Sequence, residues 1–228
     1  MSRSDFITEI YSKLFNAFGP QRWWPGETPF EVMVGAILTQ NTNWGNVEKA
    51  IANLKLRGVL TPHAMRRLSH EDLAELIRPA GYFNIKANRL HHFLTYFVDT
   101  YGGDVTRMRD KSLATLREEL LAVKGIGPET ADSILLYALD QPSFVIDAYT
   151  HRVLSRHFLI TEEADYTEMQ ETMTSALSDV IARGDRPEAI QYYNEYHALL
   201  VRVGKEFCKP KPQCENCPLN GVNWDSKK

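Results

Sequence analysis

The stretch LAVKGIGPETADSILLYALDQPSFVID, residues 121–147, places two apolar helical stretches around a turn holding Gly125 and Gly127. Apolar periodicity predicts one helix over 112–122, ending near Val123, and a second over 128–139. Pro128 suits the first turn of the second helix, where its missing N–H is not needed. Two positions without a Cβ permit positive φ and close approach of another backbone. The turn's N–H groups and the helix N-terminus behind them make an anion site, suited to a DNA phosphate. Ile126, between the glycines, is placed to plug into the core. Taken alone, the turn is equally an ordinary helical hairpin. Asp147 lies eighteen residues after Glu129 and precedes AYTHRVLSR, where an aspartate serves as a helix N-cap.

Outward from this stretch, helical patterns recur and strand patterns barely do. Phe6, Ile7, Ile10, Tyr11, Leu14, Phe15 and Phe18 share one stripe over 5–18. Thr28-Pro29-Phe30-Glu31 reads as a capping box with proline at the first helical position, opening the apolar FEVMVGAIL. Asn43 is placed to cap the next helix, and Ser69 to Asp72 starts another that Pro79 and Gly81 end. Further helices are expected over 85–100, 148–157, 167–183 and 187–204. FVI at 144–146 is the best strand candidate and is too short to build a sheet. The expected fold class is all-α.

The 228 residues suffice for one large domain or two small ones with a real core. The net charge of −3 excludes a nonspecific DNA coat with a broad basic surface, but not an enzyme whose positive charge is local. Local basic residues do exist: Arg202, Lys205, Lys209 and Lys211, with Arg152 and Arg156 elsewhere. No apolar run approaches the roughly 20 residues of a membrane span, and the charged start MSRSDFITEI is unlike a secretion signal. A cytoplasmic monomer with no membrane partner is expected. The three cysteines, Cys208, Cys214 and Cys217, lie within ten residues. An odd, clustered set reads as metal binding rather than as disulfides.

The hairpin LAVKGIGPETADSILLYA, followed by Pro142 and Asp147, resembles the helix-hairpin-helix of the endonuclease III superfamily of DNA glycosylases. GAILTQNTNWGNVEKA is similar to that family's helix–Gln-turn–helix, and RPAGYFNIKANRL to its Gly-aromatic-aromatic segment; the likeness is collinear over roughly 22–217. It implies two helical domains with a DNA groove between them: a central one over 22–140, with the hairpin at about 112–139, and a second joining 1–21 to 141–228. The implied partner is double-stranded DNA containing damaged bases. Asp147 takes the place of the catalytic aspartate, Gln40 that of the residue filling the gap left by a flipped nucleotide, and Lys124, Gly125 and Gly127 lie where the backbone is gripped. Members that also cut the strand carry a Schiff-base lysine two residues after the second glycine. Here Glu129 stands there, and a carboxylate cannot form an imine. The implied enzyme is monofunctional.

Trp23, Trp24, Pro25 and Trp44 flank the first central helix. Aromatic faces gain most when they stack on a cationic base, such as a purine alkylated at a ring nitrogen. Trp-Trp-Pro, TQNT-x-aromatic, Glu129 and Asp147-x-Tyr149 resemble the 3-methyladenine glycosylases of the endonuclease III type. That likeness puts Trp23, Pro25, Trp44, Tyr149 and Glu129 around the base. Each tryptophan is equally well read as core, and Tyr149 as packing. Within the fold, the rival is a glycosylase/lyase for oxidised pyrimidines or mispaired adenine; outside it, a noncatalytic DNA-binding module. FCKPKPQCENCPLN resembles the family's 4Fe–4S loop, with Lys209 and Lys211 directed to the DNA backbone. It departs from the family in a first gap one residue shorter and in having no fourth cysteine, Asn223 standing where that ligand is expected. A cluster with another fourth ligand, a zinc site and an empty loop remain as readings.

Overall fold

The computed structural model describes residues 2–183 and 186–224, and no strand occurs among them. The helices are α1 (Arg3–Phe18), α2 (Pro29–Leu38), α3 (Trp44–Leu56), α4 (Pro62–Arg66), α5 (His70–Leu76), α6 (Phe83–Tyr101), α7 (Val105–Arg109), α8 (Leu113–Ala122), α9 (Pro128–Ala138), α10 (Ala148–Arg156), α11 (Tyr166–Arg183) and α12 (Arg186–Glu206), with one 3-10 turn at Arg78–Ala80. The fold is all-α, as the periodicity implied. The short helices α4 and α7 were not anticipated, because five residues are too few to show a period; Thr61 and Asp104 cap them. FVI at 144–146 is buried irregular chain, with Phe144 edge-on against Tyr193 and Tyr196. No helix among the described residues is long and apolar enough to cross a membrane.

The chain divides into two compact units: a continuous one over Trp24–Gln141 and a split one joining Met1–Trp23 to Pro142–Lys228. In the continuous unit α2 is the central helix, with every residue from Phe30 to Leu38 buried and α3, α6 and α9 packed around it. Truncating one of its fully buried side chains, such as Leu38, costs about 2–5 kcal/mol. Thr28 caps α2 by accepting from the Glu31 N–H at 3.1 Å. The reciprocal half of the expected capping box is absent, because Lys55 holds the Glu31 carboxylate at 2.9 Å. At the other end of α2, the buried Lys86 ammonium donates to the carbonyls of Leu38 (2.8 Å) and Ala80 (2.7 Å). Burial, with Arg89 nearby, lowers its pKa to about 8.

In the split unit, α1 buries Phe6, Ile7, Ile10 and Leu14 against α11 and α12, and α10 packs on α12. Tyr196 is fully buried, its hydroxyl given to the Ile7 carbonyl at 2.7 Å.

Candidate functional site

Gly125 adopts φ +95°, and a Cβ there would lie 2.4 Å from Arg89 Cγ. Both conformation and space demand glycine at this position. Gly127 differs from the sequence reading. Its backbone is extended (φ −96°, ψ 177°), a conformation open to any residue, and an added Cβ would meet nothing within 4 Å. What Gly127 contributes is open space in front of α9, whose first turn receives no side-chain cap. Ile126 sits in the core as expected, 5% exposed. The hairpin is braced from behind: Arg117 grips buried Asp132 with two bonds of 2.9 and 3.1 Å, and His92 Nδ1 donates to the Lys124 carbonyl at 3.1 Å. The side chains of Lys124 and Glu129 are exposed.

Gln40 is half-buried and fully engaged within the continuous unit. Its Nε2 donates to the Gly125 carbonyl (3.1 Å) and to Thr130 Oγ1 (2.9 Å), and its Oε1 accepts from Arg89 Nη1. These bonds tie the 39–43 turn to the hairpin. Asn41, exposed and left-handed at φ +53°, forms the tip of that turn.

Asp147 caps α10, its Oδ1 accepting from the Thr150 N–H at 2.7 Å. Its Oδ2 lies 3.6 Å from Nε2 of His197, a 4% exposed residue of α12. Burial pushes this carboxyl upward, but the hydrogen bond and charge of His197 and the Thr150 bonds outweigh it, and the net shift is below the ordinary value. His197 was not singled out in the sequence. It stands fifty positions from Asp147, and only the packing of α10 on α12 joins them. His151 donates to the Glu162 carbonyl at 3.0 Å and lies outside this group.

The tryptophans separate. Trp24 meets Trp44 edge-on at 5.1 Å and Tyr137 at 5.0 Å, over Gly35, where a Cβ would come within 3.4 Å of Trp44. Trp44 Nε1 donates to Glu48 at 2.9 Å. Both rings are half-buried against the core of the continuous unit, and Pro25 beside them is exposed. Trp23 belongs to the split unit, where the Lys205 ammonium lies 5.7 Å from its ring and 5.8 Å from that of Tyr149. Tyr149 is seated on α12 at Gly204, where a Cβ would lie 2.7 Å from its own. Trp23, Tyr149, Lys205, Asp147 and His197 thus all belong to one unit.

The three cysteines line one cavity of about 390 Å³, together with His157, Gln213, Asn220 and Asn223. Burial raises the Cys217 thiol, and charge on Cys208 and Cys214 adds to the shift. No three His, Cys, Asp or Glu side chains among the described residues are grouped to hold a single metal ion. Three cysteines with a histidine in the same lining are donor types taken by both iron–sulfur clusters and zinc. Arg152 and Arg156, one turn apart on α10, hold the loop: Arg152 donates to the carbonyls of Cys208 (2.5 Å) and Gly204 (3.3 Å), and Arg156 to those of Lys209 (2.6 Å) and Pro210 (3.0 Å) and to Cys208 Sγ (3.3 Å). They are structural clamps rather than part of an open basic patch, while Lys209 and Lys211 remain exposed.

A family model described as HhH-GPD superfamily base excision DNA repair protein matches residues 34–178, from within α2 through the hairpin and Asp147 into α11. The chain belongs to this superfamily. A relative from Methanocaldococcus jannaschii, named provisionally as a DNA repair glycosylase, is 47% identical over 219 residues and covers 96% of each chain. Endonuclease III of Thermotoga maritima is 31% identical over 192 residues, covering 84% of this chain and 80% of its own. Among solved structures, the H. pylori 3-methyladenine DNA glycosylase bound to 1,N6-ethenoadenine superposes with a TM-score of 0.77 at 28% identity, covering 90% of this chain and 98% of that one. The protein is accordingly a DNA glycosylase of the HhH-GPD superfamily.

Proposed function

We propose that this glycosylase is monofunctional: it hydrolyses the N-glycosidic bond of a flipped-out alkylated purine in duplex DNA and leaves an abasic site. One observation carries the substrate reading. The rings of Trp23 and Tyr149 both lie within 6 Å of the same ammonium, in the unit that holds Asp147. Aromatic faces attract a cation through their ring quadrupole, worth about 2 kcal/mol when desolvated; a cationic base takes these faces with the exposed Lys205 ammonium displaced into solvent. The 3-methyladenine glycosylase among the structural relatives supports the same substrate class.

The chemistry follows from the carboxylate. Extrusion takes the nucleotide out of the stack, and breaking the bond leaves positive charge on the sugar. Asp147, held ionised by His197 and the Thr150 N–H, stabilises that charge or orients the attacking water. A ring-alkylated purine departs as a neutral base, so no strong general acid is needed. Glu129 stands where lyase members carry their imine-forming lysine, so the strand is left intact. The uncapped start of α9 and Lys124 take a backbone phosphate. Cys208, Cys214 and Cys217 would hold an iron–sulfur cluster, which when bound supplies a rigid anchor for the loop presenting Lys209 and Lys211. Incubation with alkylated duplex DNA tests the proposal: free methylated purines and alkali-dependent breaks are expected. Release of oxidised pyrimidines instead, with spontaneous nicking, would favour the lyase class.

A further inference from the structure

We infer that Nε2 of His157 is the fourth ligand of the iron–sulfur cluster whose other three ligands are Cys208, Cys214 and Cys217. The inference rests on the cluster reading of the loop and supplies the ligand that the cysteine count leaves out. His157 immediately follows the last residue of α10 and lines the same cavity as the three thiols. Its Nδ1 is hydrogen-bonded to the Val222 carbonyl. A carbonyl only accepts, so Nδ1 carries the proton and Nε2 of the neutral ring holds the lone pair. Metal-bound histidines show this arrangement, giving the other ring N–H to a backbone carbonyl that fixes tautomer and orientation. The same short segment is bonded to His157 a second time, through the Trp224 N–H to the His157 carbonyl at 2.9 Å. The imidazole is therefore held from both its ring and its backbone.

The competing donors are weaker. Asn223 and Gln213 also line the cavity, but both are exposed and offer only a neutral amide oxygen, whereas imidazole is an established donor to iron. The Arg156 guanidinium at 3.3 Å from Cys208 Sγ supplies a hydrogen bond to a ligand sulfur, one of the levers that tune such clusters. One imidazole in place of one thiolate also removes a negative charge from the ligand set and raises the reduction potential.

The test uses the full chain, purified anaerobically after growth on ¹⁵N-histidine, then reduced and examined by pulsed EPR. A ¹⁵N hyperfine coupling to the cluster is expected, unchanged in Asn223→Ser and absent in His157→Cys, which keeps its iron and shows a more negative midpoint potential. His157→Ala should lose iron faster on dilution into chelator. A wild-type cluster without histidine coupling, or coupling that survives His157→Cys, overturns the assignment of His157 alone. The wild-type spectrum decides even if a variant fails to fold. Wild-type protein that is folded but carries only zinc, or no metal, overturns the cluster reading together with it. Base release from alkylated DNA is measured separately and stands or falls on Asp147.

Discussion

The helices α9 and α10, one in each unit, begin in opposite ways. The start of α10 is filled by its own anion: Asp147 accepts the Thr150 N–H and is backed by buried His197. The start of α9 has no side-chain cap, and Gly127 leaves open space before it. A helix N-terminus attracts negative charge in either case. One end has satisfied that attraction internally and holds a carboxylate in a fixed place and charge state. The other leaves it for an anion from outside, and a DNA phosphate is the anion the proposed reaction brings.

The largest expected effect breaks the comparison at α10. Asp147→Asn keeps an N-cap, since asparagine caps as well as aspartate, so melting should stay within about 1 kcal/mol of wild type. Base excision should fall by about 100-fold or more. Near wild-type excision would reduce Asp147 to a cap. Because its folded pKa lies below the ordinary value, the stabilisation from its charged form is present at neutral pH and is lost progressively as pH falls from the ordinary carboxylate range through that lowered value.

Trp23→Leu comes next, with a loss of about 30-fold for methylated purines if a 2 kcal/mol cation–π attraction grows toward the transition state, and a smaller loss for a neutral lesion such as hypoxanthine. Trp44→Leu, which opens the packing over Gly35, should instead lower the melting temperature and affect both lesions alike. Selective loss in Trp44→Leu at normal stability would move the base-stacking role to Trp44.

The glycines separate fold from binding. Gly125→Ala forces a side chain into φ +95° against Arg89 and should cost about 1–2 kcal/mol of stability. Gly127→Ala should melt normally but bind duplex DNA more weakly; unchanged binding would remove the phosphate from the start of α9. At the adjacent Glu129, borohydride should trap no enzyme–DNA adduct, and an efficient adduct would point to another amine, such as Lys124.

The smallest effect concerns a helix end of the other polarity. Lys86 caps the C-terminus of α2 with a folded pKa of about 8, below the ordinary lysine value of about 10.4. The unfolded chain therefore binds more protons between these values, and stability should rise with pH across that window, by at most about 1.4 kcal/mol per pH unit. Lys86→Met should flatten that rise; an unchanged slope in the variant would assign it to other groups.

What the sequence made legible was local. The hairpin, Ile126 in the core, and the caps Thr28, Asn43, Ser69 and Asp147 each depend on neighbours three or four positions away. The missed features join distant positions. Gln40 meets Gly125 and Thr130 across 85 and 90 residues, and Arg152 and Arg156 reach the cysteine loop across more than fifty. Trp23 and Trp24 are neighbours in sequence but fall in different units, and the partners that separate them, Lys205 for the first and Trp44 and Tyr137 for the second, lie far along the chain.

The division of the chain also sets an order of synthesis. The continuous unit is complete once Gln141 has left the ribosome, and a domain of that kind folds as it emerges. Helix α1 is made before this unit but finished after it, since its partners α11 and α12 begin only at Tyr166 and Arg186. Until then Phe6, Ile7, Ile10 and Leu14 lack their native cover, and the nascent chain presents an apolar stripe to any chaperone within reach. A ribosome stalled beyond Gln141 would therefore carry a finished hairpin and an unfinished split unit.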